Sequence, residues 1–196
     1  MHGGCPPALL TSGALLKALA VPPSREVVRF WIGHWKDLEA HCGAGHGLVL
    51  EEALFKAVST EGPVSFRAAW TLALLTEAQA LQVTDPSGRF FAVLNGVSSV
   101  PIQRELLRAL LLLPWSLEQL EALTEWAVHA VFLEGLLPST LYQCLKVMER
   151  RLGLHSAPFK AGVHREMLDA LSHVSRGDFP VHAKKKAALL KARLSE

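Results

Sequence analysis

Arg67, Arg104 and Arg108 are the residues whose chemistry a binding site would use first. Arg67 lies in VSFRAAWTLALL, residues 64–75, and the other two in IQRELLRALLL, residues 102–112. Both runs are otherwise mostly apolar. Arg104 falls 37 residues after Arg67, and Leu111 and Leu112 fall 37 after Leu74 and Leu75. A fainter third copy reads LYQCLKVM at residues 141–148. An offset of this size is a helical-repeat spacing. In such an array, equivalent positions line one surface, so the arginines form a row that suits an anion or a nucleic-acid backbone. The internal alternative is more economical: each arginine bonds loop carbonyls or pairs with an acid of a neighbouring repeat, such as Glu61 or Glu105.

Lys184, Lys185 and Lys186, with Lys191 and Arg193, make the last helix basic. Repeat arrays end in a polar helix, and a charged cap is the expected role. Nucleic-acid contact is the alternative, but no aromatic residue follows Phe179 to stack on bases. His41, Cys42 and His46 form H-C-x-x-x-H, which are zinc-ligand types. They lack a fourth ligand, so a glycine-rich loop without metal is expected. Cys144 sits between Leu141 and Leu145 as a core residue. Trp126 shares its helix with Glu118, Glu121, Glu125 and Glu134, a set that suits a cationic ring, though the spacing does not require one. His129 and His164 are the candidates for any unrecognised catalytic site. There is no phosphate-binding glycine loop, no G-x-S-x-G and no H-E-x-x-H. The expectation is a non-enzymatic chain without a cofactor.

The elements that must position these residues are helices. Apolar spacing and Pro/Gly punctuation place them over 8–19, 24–42, 48–59, 64–78, 86–95, 102–113, 117–134, 138–152, 161–175 and 181–194. Ser24 is expected to cap the second, and Asp85 the helix opened by Pro86. Ser116 and Gln119 read as a capping box. Phe66, Ala69, Trp70, Ala73 and Leu74 are expected to form one buried face. Trp31 and Trp35 also read as core. No alternating run suggests a strand.

The chain has 196 residues, half of them apolar, with a formal charge of +2. That charge is too small to name a partner. Its three cysteines read as reduced thiols. The longest apolar runs fall short of a membrane span. No basic residue precedes the apolar stretch at 8–20, and Lys17 interrupts it, which argues against a secretion signal. A cytoplasmic protein without membrane contact is expected.

The segments RAAWTLALL (67–75), QRELLRALLLLP (103–114), STLYQCLKVMERR (139–151) and AKKKAALLK (183–191) carry a resemblance to short bacterial HEAT-like proteins. Some of those share the fold of DNA-alkylation-repair proteins. The resemblance covers residues 64–194 and rests on packing positions, and no catalytic residue carries over. It implies an all-α fold: an α-α superhelix, a HEAT/armadillo-like solenoid of antiparallel helix pairs. The chain then forms one helical-repeat domain, 1–196, with divergent helices over 1–63 and repeats over 64–196. The expected function is to hold a macromolecular partner, a protein before a nucleic acid, on a concave face. The alternative is a nucleic-acid-binding relative of the repair proteins, using Arg67, Arg104, Arg108 and the terminal lysines.

Overall fold

Leucine- and alanine-rich segments with apolar residues at three- and four-residue spacing become helices, and prolines and glycines set their ends. The computed structural model describes residues 11–23, 25–35, 37–154, 157–160 and 162–195, without the side chains of Glu39 and His41. Among them every regular element is helical: α1 (Ser12–Ala20), α2 (Arg25–Trp35), α3 (Leu38–Cys42), α4 (His46–Ser59), α5 (Ser65–Glu77), α6 (Pro86–Gly96), α7 (Val100–Leu110), α8 (Leu117–Ala130), α9 (Pro138–Leu152), α10 (Val163–Arg176) and α11 (Val181–Leu194). The expected cap at Ser24, residues 8–10 of the first expected helix, Cys5 and the expected start at Ala161 lie outside the described residues.

Packing divides the chain into two compact units, Met1–Leu113 and Pro114–Glu196. In the first, α4 packs on α5 and α6 on α7, and the two hairpins meet through α5 with α7 and α4 with α6. Short connectors make hairpin partners antiparallel neighbours. Helix α1 lies against α4 and α5, and α2 against α5. In the second unit, α8 packs on α9 and α10 on α11, with further contacts of α9 to α11 and α8 to α10. The 37-residue offset recurs in side-chain pairs within the units: Glu52 with Arg89, Glu61 with Ser98, and Glu149 with Lys186.

Asp85 caps α6, its side chain accepting from the Gly88 N–H, and the Ser116–Gln119 capping box is formed. The expected helix over 24–42 is instead two pieces: the Asp37 N–H bonds the His34 carbonyl in a tight turn between α2 and α3. That turn lets Trp35 and Leu38 both be fully buried. The face expected on α5 also differs. Ala69, Ala73 and Leu74 are buried, but Phe66 is 40% exposed and Trp70 half-buried. The small residues Ala68, Ala69 and Ala73, with Leu72 and Leu75, are the ones packed inside. Phe66 and Trp70, one turn apart, are left on the side that opens to solvent.

Glu61 ties the two hairpins of the first unit together. Its carboxylate accepts from the backbone N–H groups of Ser98 and Ser99 and from the Ser98 hydroxyl. It thereby serves the free N–H groups at the start of α7 from a neighbouring loop. These bonds hold its pKa below the ordinary 4.5. A depressed acid stabilises the fold above its unfolded pKa, and that contribution is lost as pH falls through the folded value. Glu61→Gln should therefore lower the melting temperature at pH 7, and the difference from wild type should vanish in acid. A difference that persists unchanged at pH 3 would refute this role.

Cys144 is fully enclosed on α9, and burial pushes its thiol up to about 12. The thiolate is the reactive form. Cys42, at the end of α3, is only half-buried. A thiol reagent at pH 8 should therefore modify Cys42 in the native protein and reach Cys144 only on unfolding. Native labelling of Cys144 at the rate of Cys42, read by mass spectrometry, would contradict this placement.

Candidate binding recess on α5 and α7

Phe66, Arg67 and Trp70 sit at i, i+1 and i+4 on α5, and Arg104, Glu105 and Arg108 repeat that spacing on α7. Residues three and four apart are neighbours on a helix surface, so Trp70 lies beside both Phe66 and Arg67, and Arg108 beside both Arg104 and Glu105. Because α5 and α7 are packed neighbours, the two triplets line one recess of about 340 Å³, to which Pro23 also contributes. All three arginines of the sequence-derived row are therefore together.

Each guanidinium is held differently. Arg67 donates through Nη1 to the carbonyls of Leu19 (2.8 Å) and Ala20 (3.0 Å). These are terminal carbonyls of α1, which lack helical partners and carry the negative end of the helix dipole. Among the described residues no carboxylate pairs with Arg67. Arg104 grips Glu105 Oε1 through Nε (2.9 Å) and Nη2 (2.6 Å), and its guanidinium carbon lies 5.8 Å from the centre of the Phe66 ring. Arg108 approaches Glu105 Oε2 through Nη1 at 3.0 Å and Glu77 Oε1 through Nε at 3.2 Å. Arg108 Nη2 is buried and has no hydrogen-bond acceptor among the described residues. An orphaned buried donor of this kind costs about 1–3 kcal/mol.

Glu105, only 3% exposed, is the hub of the recess. It is charge-compensated by two arginines, so it fixes their forks rather than standing as a free acid. Three cations against Glu105 and Glu77 leave the recess with one net positive charge. The rings of Phe66 and Trp70 supply the apolar wall. The arginines are used internally, though not as the sequence suggested: Arg67 bonds carbonyls at the end of α1 rather than of a loop, Arg104 pairs with the adjacent Glu105 of its own helix, and only Arg108 reaches an acid of the neighbouring hairpin, Glu77. The wall was missed because an aromatic at i and i+4 on an alanine-rich helix reads as core. The arginine at i+1 beside it, repeated 37 residues on, was the available signal.

Other sequence-derived candidates lie elsewhere. Lys184, Lys185 and Lys186 are on α11 in the second unit. Lys186 Nζ donates to Glu149 Oε2 at 2.6 Å and lies 5.6 Å from the Tyr142 ring centre, while Lys185 is exposed. Cys42 ends α3 and His46 opens α4, and the side chain of His41 is outside the described residues. Among the described residues no three His, Cys, Asp or Glu side chains gather as a metal site. His129 lies 3.7 Å from Glu166, and His164 is within 3.2 Å of the Leu194 carbonyl. Around half-buried Trp126, Glu125 is engaged by Lys160 and Glu121 by Arg151. No helix among the described residues is long and apolar enough to cross a membrane.

What the described residues define is an all-helical protein with a recess lined by arginines and aromatic rings. Comparison with known protein families, with curated proteins and with solved structures yields no match.

Proposed function

We propose that this chain is a non-enzymatic helical-repeat protein, of the HEAT-like kind its sequence resembles, and that it holds a partner protein at the α5–α7 recess. The repeat reading is supported by the two stacked hairpins in each unit and by the 37-residue offset between paired residues. In a repeat array equivalent helices of successive repeats share one layer, and the array presents an extended concave surface. Helices α5 and α7, the second helices of the two hairpins of the first unit, pack side by side, which supports this reading. The observation that carries the function is the composition of the recess: Phe66 and Trp70 beside three arginines. Tryptophan and arginine are the residues most enriched where protein–protein binding energy concentrates.

The test is a photo-cross-linker placed at Phe66, with one at the exposed Val49 of the same unit as control. A protease-sensitive adduct at Phe66, absent at Val49 and lost in Trp70→Ala, is expected. Trp70 is only half-buried, so that variant should lose about 1–2 kcal/mol, less than the 3–5 of a fully buried tryptophan. A nuclease-sensitive adduct, or submicromolar, salt-steep binding of duplex DNA at about 150 mM salt, would overturn the protein reading.

A further inference from the structure

We infer that the recess takes an aspartate or glutamate side chain of the partner polypeptide, with a neighbouring apolar side chain laid against Phe66 and Trp70. This rests on the protein-binding reading above and names the group that is recognised. Three guanidinium groups line the recess with hydrogen-bonding capacity unspent. Arg67 is anchored by Nη1 alone and faces no carboxylate among the described residues. Arg108 Nη2 is buried without an acceptor. Arg104 spends Nε and Nη2 on Glu105, and Nη1 has no partner among the described residues. Planar guanidinium forks match the two oxygens of a carboxylate, and charge-assisted bonds of this type are the strong ones. A recess of about 340 Å³ has room for a carboxylate and a few attached carbons.

Charge decides between a single carboxylate and a nucleic-acid backbone. The net charge of one at the recess is neutralised by one acid. Each further phosphate of a strand needs a further cation. Helices α5 and α7 carry no other lysine or arginine, and flank the recess with Glu77 and the buried Glu105. The exposed ring of Phe66 suits an aliphatic neighbour of the acid, since Arg104 already covers part of it.

The experiment titrates the full-length protein with acetyl-Leu-Asp-Leu-amide, with the isosteric acetyl-Leu-Asn-Leu-amide, with inorganic phosphate and with a short thymidine oligonucleotide. The readout is the Trp70 indole N–H signal, assigned with Trp70→Phe. The aspartyl peptide should shift it at about 1 mM, and the asparaginyl peptide should bind at least tenfold more weakly, about 1.4 kcal/mol. Arg108→Lys keeps a cation between Glu77 and Glu105 but removes the fork, and should abolish that discrimination with the remaining spectrum unchanged. Equal binding of the two peptides, no shift from the aspartyl peptide, or a shift from phosphate or the oligonucleotide at lower concentration would overturn the proposal. If the Phe66 adduct is protein and the two peptides still bind alike, the protein reading stands and the carboxylate falls. If the adduct is nucleic acid, both fall.

Discussion

Replacing Arg151 by alanine should cost the protein about 3–5 kcal/mol, the penalty of breaking a buried ion pair from one side. Arg151 is fully buried on α9 and Glu121 on α8 is 7% exposed. Arg151 Nε donates to Glu121 Oε1 at 2.5 Å. Its Nη2 donates to the carbonyls of Ala157 (3.1 Å) and Pro158 (2.8 Å), and its guanidinium lies 4.0 Å from the Phe159 ring centre. One side chain thus joins α8, α9 and the segment after α9. Glu121 Oε2 already lacks a hydrogen-bond partner among the described residues, so removing Arg151 would strand the whole carboxylate. The double variant Arg151→Met with Glu121→Leu removes both charges and should recover much of the loss, because an apolar pair of similar volume avoids desolvation. Urea melts of the three proteins measure this. A loss under about 1 kcal/mol for Arg151→Ala would mean that the pair is solvated in solution.

Arg151 also marks where the sequence ceased to be informative. Read as STLYQCLKVMERR, it looks like the polar end of an amphipathic helix, and nothing local distinguishes it from Arg150, which is half-buried beside it. Its partner lies 30 residues away, a distance that periodicity does not address. What the sequence did expose were local signals. The Asp85-Pro86 start, the Ser116–Gln119 box and the last helix over 181–194 all occur as expected, because capping and helical stripes are decided within a few residues. The division of the chain at Leu113 and Pro114 is a long-range packing property. Even so, the helix expected over 102–113 ends at the same boundary. The recess was half legible: the repeat aligned Arg67 with Arg104, but which flank of α5 faced inward depended on alanines packing more closely than Phe66 could.

Glu51→Ala should cost on the order of 3 kcal/mol, since it strands three donors at once. The carboxylate of this fully buried residue on α4 accepts from the Trp35 indole at 3.2 Å, from the Gln82 N–H at 2.9 and 3.1 Å, and from the Val83 N–H at 2.9 Å. It therefore fastens the end of α2 and the connector between α5 and α6 to α4. Burial pushes its pKa above the ordinary 4.5, and the Gln82, Val83 and Trp35 bonds only partly pull it back. A raised acid binds more protons in the folded state than in the unfolded state. Its contribution is therefore fully present below the unfolded pKa and declines as pH rises through the folded value. This slope is opposite in sign to that of Glu61. Glu51→Gln removes the titration and should flatten stability against pH between 4.5 and the raised folded value. Its amide nitrogen would also face the Gln82 and Val83 N–H groups, donor against donor, so Glu51→Gln should be destabilised at neutral pH as well. Melts of wild type, Glu51→Gln and Glu61→Gln across the acid range separate the two residues. If wild type and Glu51→Gln run parallel at every pH, Glu51 does not titrate differently on folding, and its anchoring role would rest on the hydrogen bonds alone.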